Sequence, residues 1–405
     1  MDVFEGKVWI PNKGLTDTCV GIENGKIKIV KSSLKGDKII KFKGIMLPSA
    51  LDMHVHFRDP GYPHKEDWKS GSESAACGGV TAVVDMPNTN PFTSDVTTFN
   101  EKEAIASSKS VVDFGLGVNV EEGLADKEWF DTIPSAFWKL YPYGITSEQY
   151  FSNAREILEK TNKPLVIHGE HPDHMYDEPL KELADHTKNR HNAESECLSS
   201  MPSSSYLHVA HLSTEDGLNN MPSLASSEVC PHHLLLNLEN CQSMDCKVDP
   251  PLRTRNDNST LYNAFREGQI PILASDHAPH TISEKRSDTP PSGLPGVETM
   301  IPLMLNEVSE GRLEMSRLIN AMSEAPASRL SLERGRISQG LTADFMIVDM
   351  KNSQPIDLDK LHSNANWTPF EDWSAIFPSQ VYRRGELIAE DCQVTNISTG
   401  HNLFR

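Results

Sequence analysis

Short apolar runs alternate along most of the chain with longer segments of helical character. Eight such runs occur, at residues 46–52, 81–85, 111–115, 136–140, 165–167, 206–210, 227–230 and 270–274. This alternation is typical of parallel strands wrapped by helices, because a parallel strand is buried on both faces and needs a crossover to reach its neighbour. Eight parallel strands are the number that closes an α/β barrel. The pattern therefore predicts an α/β fold of the (β/α)8, TIM-type class.

The two ends of the chain have a different pattern, of short strands punctuated by turns. An Asn24-Gly25 hairpin signal lies among the first of them, which predict a small antiparallel module. The strand-like stretches lie at residues 7–10, 19–22, 26–30, 38–42, 343–349 and 379–385. Because chain termini usually lie close together on a domain surface, we expect both ends to share one small β-sandwich domain. The predicted division is a composite domain of residues 1–46 and 341–405 beside a barrel of residues 47–340.

Charge and composition exclude several classes of partner. The formal net charge is -19, so a phosphate backbone or an anionic membrane surface would be repelled unless a local basic patch intervened. No run approaches the roughly 18 apolar residues of a membrane span, and the N-terminus lacks the basic start and apolar core of a secretory signal. Seven cysteines without a Cys-x-x-Cys pair indicate reduced thiols. We therefore expect a globular, cytoplasmic protein that binds neither nucleic acid nor membrane.

Side chains that can bind a metal recur at the C-terminal ends of the predicted barrel strands. In an α/β barrel the active site forms at that rim, because the loops after the strands converge there. Five strands that deliver such groups to one rim are difficult to obtain by chance. The residues are His54 and His56 after the first run, Lys139 on the fourth, His168 after the fifth, His211 after the sixth and Asp276 after the eighth.

His54 and His56 are two residues apart on an extended segment, so both imidazoles point to the same face and can bind one cation. An isolated His-x-His also occurs as a pair of solvated loop residues, and only the other ligands favour the metal interpretation. His168 and His211 would supply imidazole nitrogens to a second metal, although a lone buried histidine is more often a core residue.

Lys139 is the unusual member of the set, because a protonated ammonium would be repelled by two cations. Burial would lower the pKa of its amine, and a neutral amine can react with carbon dioxide to form an anionic carbamate that could bridge two metals. The alternative is a lysine whose head snorkels from the strand end to solvent. The residues alone do not decide between the two.

Asp276 can ligate a metal with one oxygen and handle a proton with the other, or can form an Asx turn before a proline. His232 and His233 are interpreted as packing or supporting residues, because no ligand role remains for them. Together the rim residues permit addition of water to a carbonyl with the help of a metal.

Long motifs in this sequence resemble the amidohydrolase superfamily and, within it, the class I type of dihydroorotase. They cover nearly the whole chain: LDMHVHFRDPG at 51–61, GGVT at 78–81, DMPNT at 85–89, KLY at 139–141, DHAPH at 276–280, GLPGVET at 293–299 and GRI at 335–337. The resemblance implies reversible, zinc-dependent cyclisation of N-carbamoyl-L-aspartate to L-dihydroorotate, a step of pyrimidine biosynthesis.

The resemblance also implies roles for individual residues. Two zinc ions per subunit would be held by His54, His56, Lys139, His168, His211 and Asp276, with carboxylated Lys139 as the bridge and Asp276 as the catalytic acid and base. The substrate would contact Arg58, Asn88, His280, Ser292 and Gly293. Physical chemistry supports this role for Arg58, since a guanidinium group can donate two parallel hydrogen bonds to a carboxylate.

Two alternatives and two departures from the family pattern stay open. Allantoinases and hydantoinases resemble the same scaffold but typically differ at Arg58 and Asn88, and a catalytically silent scaffold for a partner such as aspartate carbamoyltransferase usually loses metal histidines. Asp249 stands where asparagine is common, and Ser292 where a bulkier residue or proline is common. The sequence leaves the oligomeric state open, with a homodimer as one option.

Overall fold

The computed structural model describes residues 1–123, 130, 132–175, 180–395 and 398–405. The N-terminal strands are β1 (Asp2–Ile10), β2 (Gly14–Glu23), β3 (Lys26–Lys31) and β4 (Lys38–Pro48). Asn24 and Gly25 join β2 to β3, and both have the positive φ that a two-residue hairpin requires (53° and 74°). β2 is antiparallel to both of its neighbours, but β4 pairs with β1 in parallel. The prediction of an antiparallel module is therefore wrong for the pairing of β1 with β4.

Eight parallel strands then form the predicted barrel, with neighbours in chain order from first to last. Between the last strand and the first, the parallel bridge of Val55 to His277 and the hydrogen bond from His56 N to His277 O (2.8 Å) close the ring. The strands are β5 (Ala50–Val55), β6 (Val80–Asp85), β7 (Asp113–Asn119), β8 (Phe137–Leu140), β9 (Leu165–His168), β10 (Leu207–Ala210), β11 (Ser226–Val229) and β12 (Ile272–Leu273).

The predicted runs fall on these strands, and the first run shows a physical limit of the pattern. Residues 46–52 were expected as one strand, but β4 ends at Pro48 and β5 begins at Ala50. Both strands are buried there, so hydrophobicity does not mark the crossing from one sheet to the other. Ser49 makes the change of direction, with its hydroxyl 2.6 Å from that of Thr81.

The C-terminal strands are β13 (Phe345–Val348), β14 (Gln354–Pro355), β15 (Ser374–Ala375), β16 (Gln380–Arg383), β17 (Glu386–Glu390) and β18 (Gln393–Val394). β14 and β15 form a small sheet of their own. The others join the N-terminal strands in one eight-stranded sheet, in the order β18-β17-β16-β13-β4-β1-β2-β3. The prediction that both chain ends form one β domain is confirmed.

Helices connect the barrel strands, and several begin with the reciprocal side-chain caps that fix a helix start. At the first of them the Ser70 N–H donates to Asp67 Oδ1 (2.8 Å) and the Asp67 N–H donates to Ser70 Oγ (3.2 Å). The α-helices of the described residues are α1 (Trp68–Cys77), α2 (Val96–Lys109), α3 (Ser147–Lys160), α4 (Leu183–Asn189), α5 (Ala193–Ser200), α6 (Glu215–Asn219), α7 (Pro231–Leu235), α8 (Arg255–Arg266), α9 (Ile282–Lys285), α10 (Val297–Ser309), α11 (Met315–Ile319) and α12 (Ala325–Arg329).

Apolar side chains from most of the barrel strands pack together and fill the barrel. Polar groups at the C-terminal strand ends therefore lie above an apolar barrel interior. These buried side chains include Leu51, Met53, Ala82, Val84, Phe137, Val166, Ala210 and Ile272.

Two cysteines differ from the expectation that all thiols are reduced. Cys241 and Cys246, on either side of a short loop, are joined in a disulfide. The expectation is therefore wrong for this pair. The spacing of the two cysteines does not match a Cys-x-x-Cys motif, but the loop brings their side chains together. The other five cysteines are free thiols.

Candidate active site

A cavity of about 170 Å³ opens at the C-terminal mouth of the barrel. The structure brings all eleven predicted site residues to its wall, although they come from distant parts of the chain. The eleven are His54, His56, Arg58, Asn88, Lys139, His168, His211, Asp276, His280, Ser292 and Gly293. Their chemical roles stay predictions, because proximity alone does not establish a role.

His54, His56 and Asp276 converge on one point. The Nε2 atoms of the two imidazoles lie 3.3 Å apart, and Asp276 Oδ1 lies 3.2 Å from that of His54 and 3.1 Å from that of His56. Each ring donates its Nδ1–H elsewhere, His54 to Glu228 and His56 to Asn88 Oδ1 (2.6 Å). We therefore assign the lone pairs to Nε2, which is the arrangement of two histidines and a carboxylate that share a cation.

Burial keeps these groups close to the charge states that metal ligands need. Desolvation lowers the pKa of His54, and desolvation together with the Arg58 charge lowers the pKa of His56 to about 3, so both rings are neutral. Burial also raises the pKa of Asp276, while His54 and Lys139 oppose that change. A nearby cation would favour the Asp276 carboxylate further.

Lys139 is fully buried, and its Nζ has no hydrogen-bond partner among the described residues. The amine lies 5.0 Å from the centre of the Tyr141 ring, and burial lowers its pKa to about 8. The snorkelling alternative requires a path to solvent for the amine, and a fully buried side chain has none. An unpartnered buried amine of lowered pKa fits the carbamate interpretation.

His168 and His211 are the other two histidines predicted to bind a metal. Their ring centres lie 4.6 Å apart, and His211 lies 5.2 Å from His54. His168 donates Nε2–H to Glu170 Oε2 (2.7 Å), while Nδ1 of His211 is buried without a partner among the described residues. His54, His211 and Asp276 offer ligand atoms within 4.8 Å of one another. Because His211 has a buried nitrogen without a hydrogen-bond partner among the described residues, this set of donor atoms fits a metal ion.

Strained backbone marks three of the site residues. Arg58, His211 and Asp276 have φ angles of 59°, 39° and 45°, in a region that side chains other than glycine seldom adopt. Each lies just after a barrel strand, where the chain must turn sharply for the side chain to face the barrel axis. Such strain is typical of functional sites, where the surrounding structure holds it in place.

Two buried glutamates that the sequence analysis missed support the ligands. Glu228, on β11, accepts from His54 and lies 3.1 Å from His208 Nε2. Glu170 accepts from His168 and forms an ion pair with Arg190 (2.9 Å). A signal existed for Glu228, since it is an acidic residue inside an apolar run. Glu170 lies two residues beyond its histidine in a loop, where an acidic residue is ordinary.

The predicted substrate residues line the same cavity. Arg58 Nη2 lies 3.1 Å from His280 Nε2, and Lys65 Nζ lies 3.1 Å from the other ring nitrogen. Burial and these two cations lower the pKa of His280, so its imidazole is neutral. Gly293 donates its N–H to Lys247 O (3.0 Å), and its carbonyl accepts from Lys285. Both backbone groups of Gly293 thus have partners within the protein.

Asp249, the departure noted in the sequence, lies in the cavity wall. It accepts from Tyr143 Oη (3.2 Å) and forms ion pairs with Arg190 (3.2 Å) and His186 (3.0 Å). Burial would raise its pKa, but Arg190 and His186 lower it, so Asp249 is a carboxylate held by protein groups. Tyr141 and Tyr143 also line the cavity, and the sequence analysis missed both.

His232 and His233 lie beside Cys230 in the core and do not line the cavity. His233 donates Nε2–H to Pro250 O (3.1 Å). Their interpretation as packing or supporting residues stays a prediction.

Comparison with known proteins decides the family. Residues 45–388 match the amidohydrolase family. The chain belongs to this family. Among curated amidohydrolases, it is 37% identical over 419 residues to the dihydroorotase of Methanosarcina acetivorans, covering 93% of this chain and 89% of that one. It is 35% identical to the dihydroorotase of Pyrococcus abyssi, covering 100% and 98%.

Solved structures confirm the barrel fold. The L-hydantoinase from Arthrobacter aurescens superposes with a TM-score of 0.89 at 23% identity and covers 99% of this chain and 98% of its own. The dihydropyrimidinase from Brevibacillus agri gives 0.89 at 20% identity, with 100% and 98% covered. At these identities the likeness shows the fold alone.

The family and the structure bear on two further expectations, which concern the metal and the membrane. Amidohydrolases depend on a metal, and the rim of this barrel carries a group of residues that can hold one. Within the part of the chain that the structure describes, no helix has both the length and the apolar character to cross a bilayer.

Proposed function

We propose that this amidohydrolase is a dihydroorotase, which interconverts N-carbamoyl-L-aspartate and L-dihydroorotate. The observation that carries the proposal is that Arg58 and Asn88 share one cavity with the six predicted metal ligands. A substrate with a free carboxylate needs a cationic anchor in a protein of net charge -19, and Arg58 supplies it at the cavity wall. The curated relatives that bear this name support the proposal.

The proposed cofactor is a pair of zinc ions. His54 and His56 would hold one ion, His168 and His211 the other, with carboxylated Lys139 as the bridge and Asp276 as a further ligand. The unpartnered amine of Lys139 supports the bridge, because carboxylation replaces a proton on that nitrogen with a carboxylate. When bound, the ions supply Lewis acidity, which polarises the carbonyl and acidifies water.

The protein's own groups would perform the rest of the reaction. Arg58 holds the substrate carboxylate by two hydrogen bonds, assisted by Asn88 and by neutral His280. Asn88 Oδ1 already accepts from His56, so its amide N–H groups are the ones that face a ligand. The backbone of the segment Ser292 to Gly293 would contact the substrate ring.

Asp276 would move the proton. In ring opening, Asp276 takes a proton from the attacking water and returns it to the ring nitrogen as the C–N bond breaks. In ring closure the nitrogen forms the C–N bond, and water leaves from the side-chain carboxyl group. Closure consumes a proton at neutral pH, since a carboxylate disappears, so cyclisation is favoured at mildly acidic pH and ring opening as the pH rises.

One assay tests the function. The purified protein, with its zinc content measured, is given L-dihydroorotate, N-carbamoyl-L-aspartate, hydantoin and allantoin in separate reactions. We expect about two zinc ions per chain and turnover of the first two compounds only. Turnover of hydantoin or allantoin with none of L-dihydroorotate would overturn the assignment, and absence of all turnover in the zinc-loaded protein would favour a silent scaffold.

Three further expectations stay proposals. The domain bounds of 1–46 with 341–405 and of 47–340, the cytoplasmic location and a homodimeric state rest on the sequence. Size-exclusion chromatography with light scattering measures the last of these directly.

A further inference from the structure

A second cluster of metal-ligating side chains lies away from the barrel mouth, where the end of α1 meets the start of α10. It contains Cys77, the last residue of α1, Glu298 in the first turn of α10, and His362 in a loop after β14. Ligand atoms of these three residues lie within 4.8 Å of one another. The two helices are in close contact, since a Cβ added to Gly78 would lie 2.7 Å from Glu298 O.

Glu298 fixes the orientation of the His362 ring. The ring donates Nδ1–H to Glu298 Oε1 (2.7 Å), and the backbone N–H of His362 donates to Oε2 (2.8 Å). These two bonds assign a proton to Nδ1, so that in the neutral ring the lone pair lies on Nε2. A carboxylate that holds a histidine in this way is the usual support of a metal-ligating imidazole.

Nε2 of this ring faces a thiol, in a hydrogen-bonded contact whose length also suits a shared metal. Cys77 Sγ lies 3.7 Å from His362 Nε2. Zinc bonds of about 2.3 Å to sulfur and 2.0–2.1 Å to nitrogen, at a tetrahedral angle, place the two ligand atoms about 3.6 Å apart. The observed separation therefore needs little adjustment to admit a cation.

The surroundings favour a cation and give it access. Cys77 is buried, but the His362 side chain is 18% exposed. A cavity of about 270 Å³ lies beside the cluster and is lined by Leu361, the neighbour of His362, and by a second cysteine, Cys392. Its lining also includes three aspartates against one lysine: Asp349, Asp357, Asp391 and Lys360. Such an excess of acidic groups raises the local concentration of cations.

We propose that Cys77 and His362, positioned by Glu298, bind a thiophilic divalent cation of the zinc type at a site separate from the catalytic centre. On binding, the S–H bond of Cys77 breaks, a metal–sulfur bond forms and the proton passes to solvent. Without a cation, burial raises the pKa of the Cys77 thiol and keeps it protonated. The bound ion would fix the loop of His362 to α1 and α10, which is a structural role.

Cadmium is a suitable probe, because cadmium thiolates absorb in the ultraviolet whereas the six proposed catalytic ligands include no cysteine. The zinc-loaded protein, prepared with two zinc ions per chain for the catalytic centre, is titrated with Cd²⁺, and the charge-transfer absorption is followed. We expect saturation at about one equivalent, loss of the absorption in Cys77→Ser and in His362→Gln, and affinity about 10- to 100-fold weaker in Glu298→Gln. Cys19→Ser, a buried thiol in β2, is the matched control and keeps the absorption.

Melting temperature gives a second readout that a merely structural hydrogen bond would not move. Added Zn²⁺ should raise the melting temperature of the zinc-loaded protein and of Cys19→Ser but not that of Cys77→Ser. If Cys77→Ser does not fold, His362→Gln answers the same question. An absorption of full amplitude in either folded variant, or none in the wild-type protein, would overturn the proposal. Catalytic turnover is measured separately and is expected to be unchanged in Cys77→Ser.

Discussion

Glu228 accepts a hydrogen bond from Nδ1 of His54, and both side chains are fully buried. Burial would raise the pKa of Glu228, but its interactions with His54 and His208, including a hydrogen bond from each ring, lower it, so Glu228 is a carboxylate inside the barrel. It holds the His54 ring with Nε2 toward Asp276 and makes that nitrogen a stronger ligand. His54 and Glu228 thus lie 174 positions apart in the sequence, although only β12 separates their strands in the closed ring.

Replacement of Glu228 by glutamine should weaken metal binding. The amide keeps the shape of the side chain but removes the charge that fixes the His54 tautomer, so we expect the affinity for zinc to fall about 10- to 100-fold. Zinc content after dialysis against a graded chelator series measures the change. Glu307→Gln is the control, because Glu307 is also mostly buried but pairs with Arg312 away from the cavity. Equal zinc retention in both variants would contradict the supporting role.

Replacement of Arg58 by alanine should impair substrate binding far more than metal content. Hydrogen bonds to charged groups contribute about 1.5–3 kcal/mol, so kcat/KM should fall roughly 10- to 150-fold, mainly through KM. Steady-state kinetics with zinc analysis of the same sample tests this. Arg58→Lys is the matched variant, which keeps the charge but not the fork. If Arg58→Ala loses zinc instead, then Arg58 is structural.

The sequence predicted the fold and the rim residues well for one physical reason. In an α/β barrel the C-terminal ends of all strands face the same mouth. A histidine or aspartate just after an apolar run is therefore already placed at that mouth by its position in the sequence. His211 after β10 and Asp276 after β12 are such cases. Residues whose role depends on a distant partner carry no such local mark.

Glu228, Cys77 and the first barrel strand illustrate what the sequence did not provide. Glu228 pairs with a histidine 174 positions away, and Cys77 with one 285 positions away. The break at Ser49 between β4 and β5 is invisible to periodicity, because apolar residues continue across it into a second buried sheet. Each of these features arises from tertiary packing.

Reconstitution of the metal-free protein should require carbon dioxide and should quicken as the pH rises. Burial lowers the pKa of Lys139 to about 8, so the amine is mostly protonated below that pH and mostly neutral above it. Only the neutral amine reacts with carbon dioxide. Recovery of activity after addition of zinc, with and without bicarbonate from pH 6.5 to 9, measures the effect. Recovery that is independent of both bicarbonate and pH would contradict a carboxylated Lys139.

Asp276→Ala should abolish turnover through the loss of proton transfer. A positioned acid or base contributes about 10²- to 10⁴-fold, so kcat should fall at least by that range. Asp276→Asn is the informative partner, since the amide keeps an oxygen ligand but cannot carry the proton. Zinc content and kcat are measured together in both variants. Normal turnover in Asp276→Ala would count heavily against the assigned role.

Gly293→Ala should lower both thermal stability and activity. Gly293 has φ of 135°, and a Cβ there would lie 2.3 Å from Ala278 O and 3.2 Å from His280 Cδ2. Strain of this kind costs about 1–3 kcal/mol, and relief of the contact moves the wall that carries His280. Gly340→Ala is the matched control, with φ of 91° but no atom within 4 Å of the added Cβ. It should reproduce the loss of melting temperature due to backbone strain while kcat/KM stays at the wild-type value. If both variants lower kcat/KM equally, close packing of the Gly293 segment against Ala278 and His280 does not shape the substrate wall.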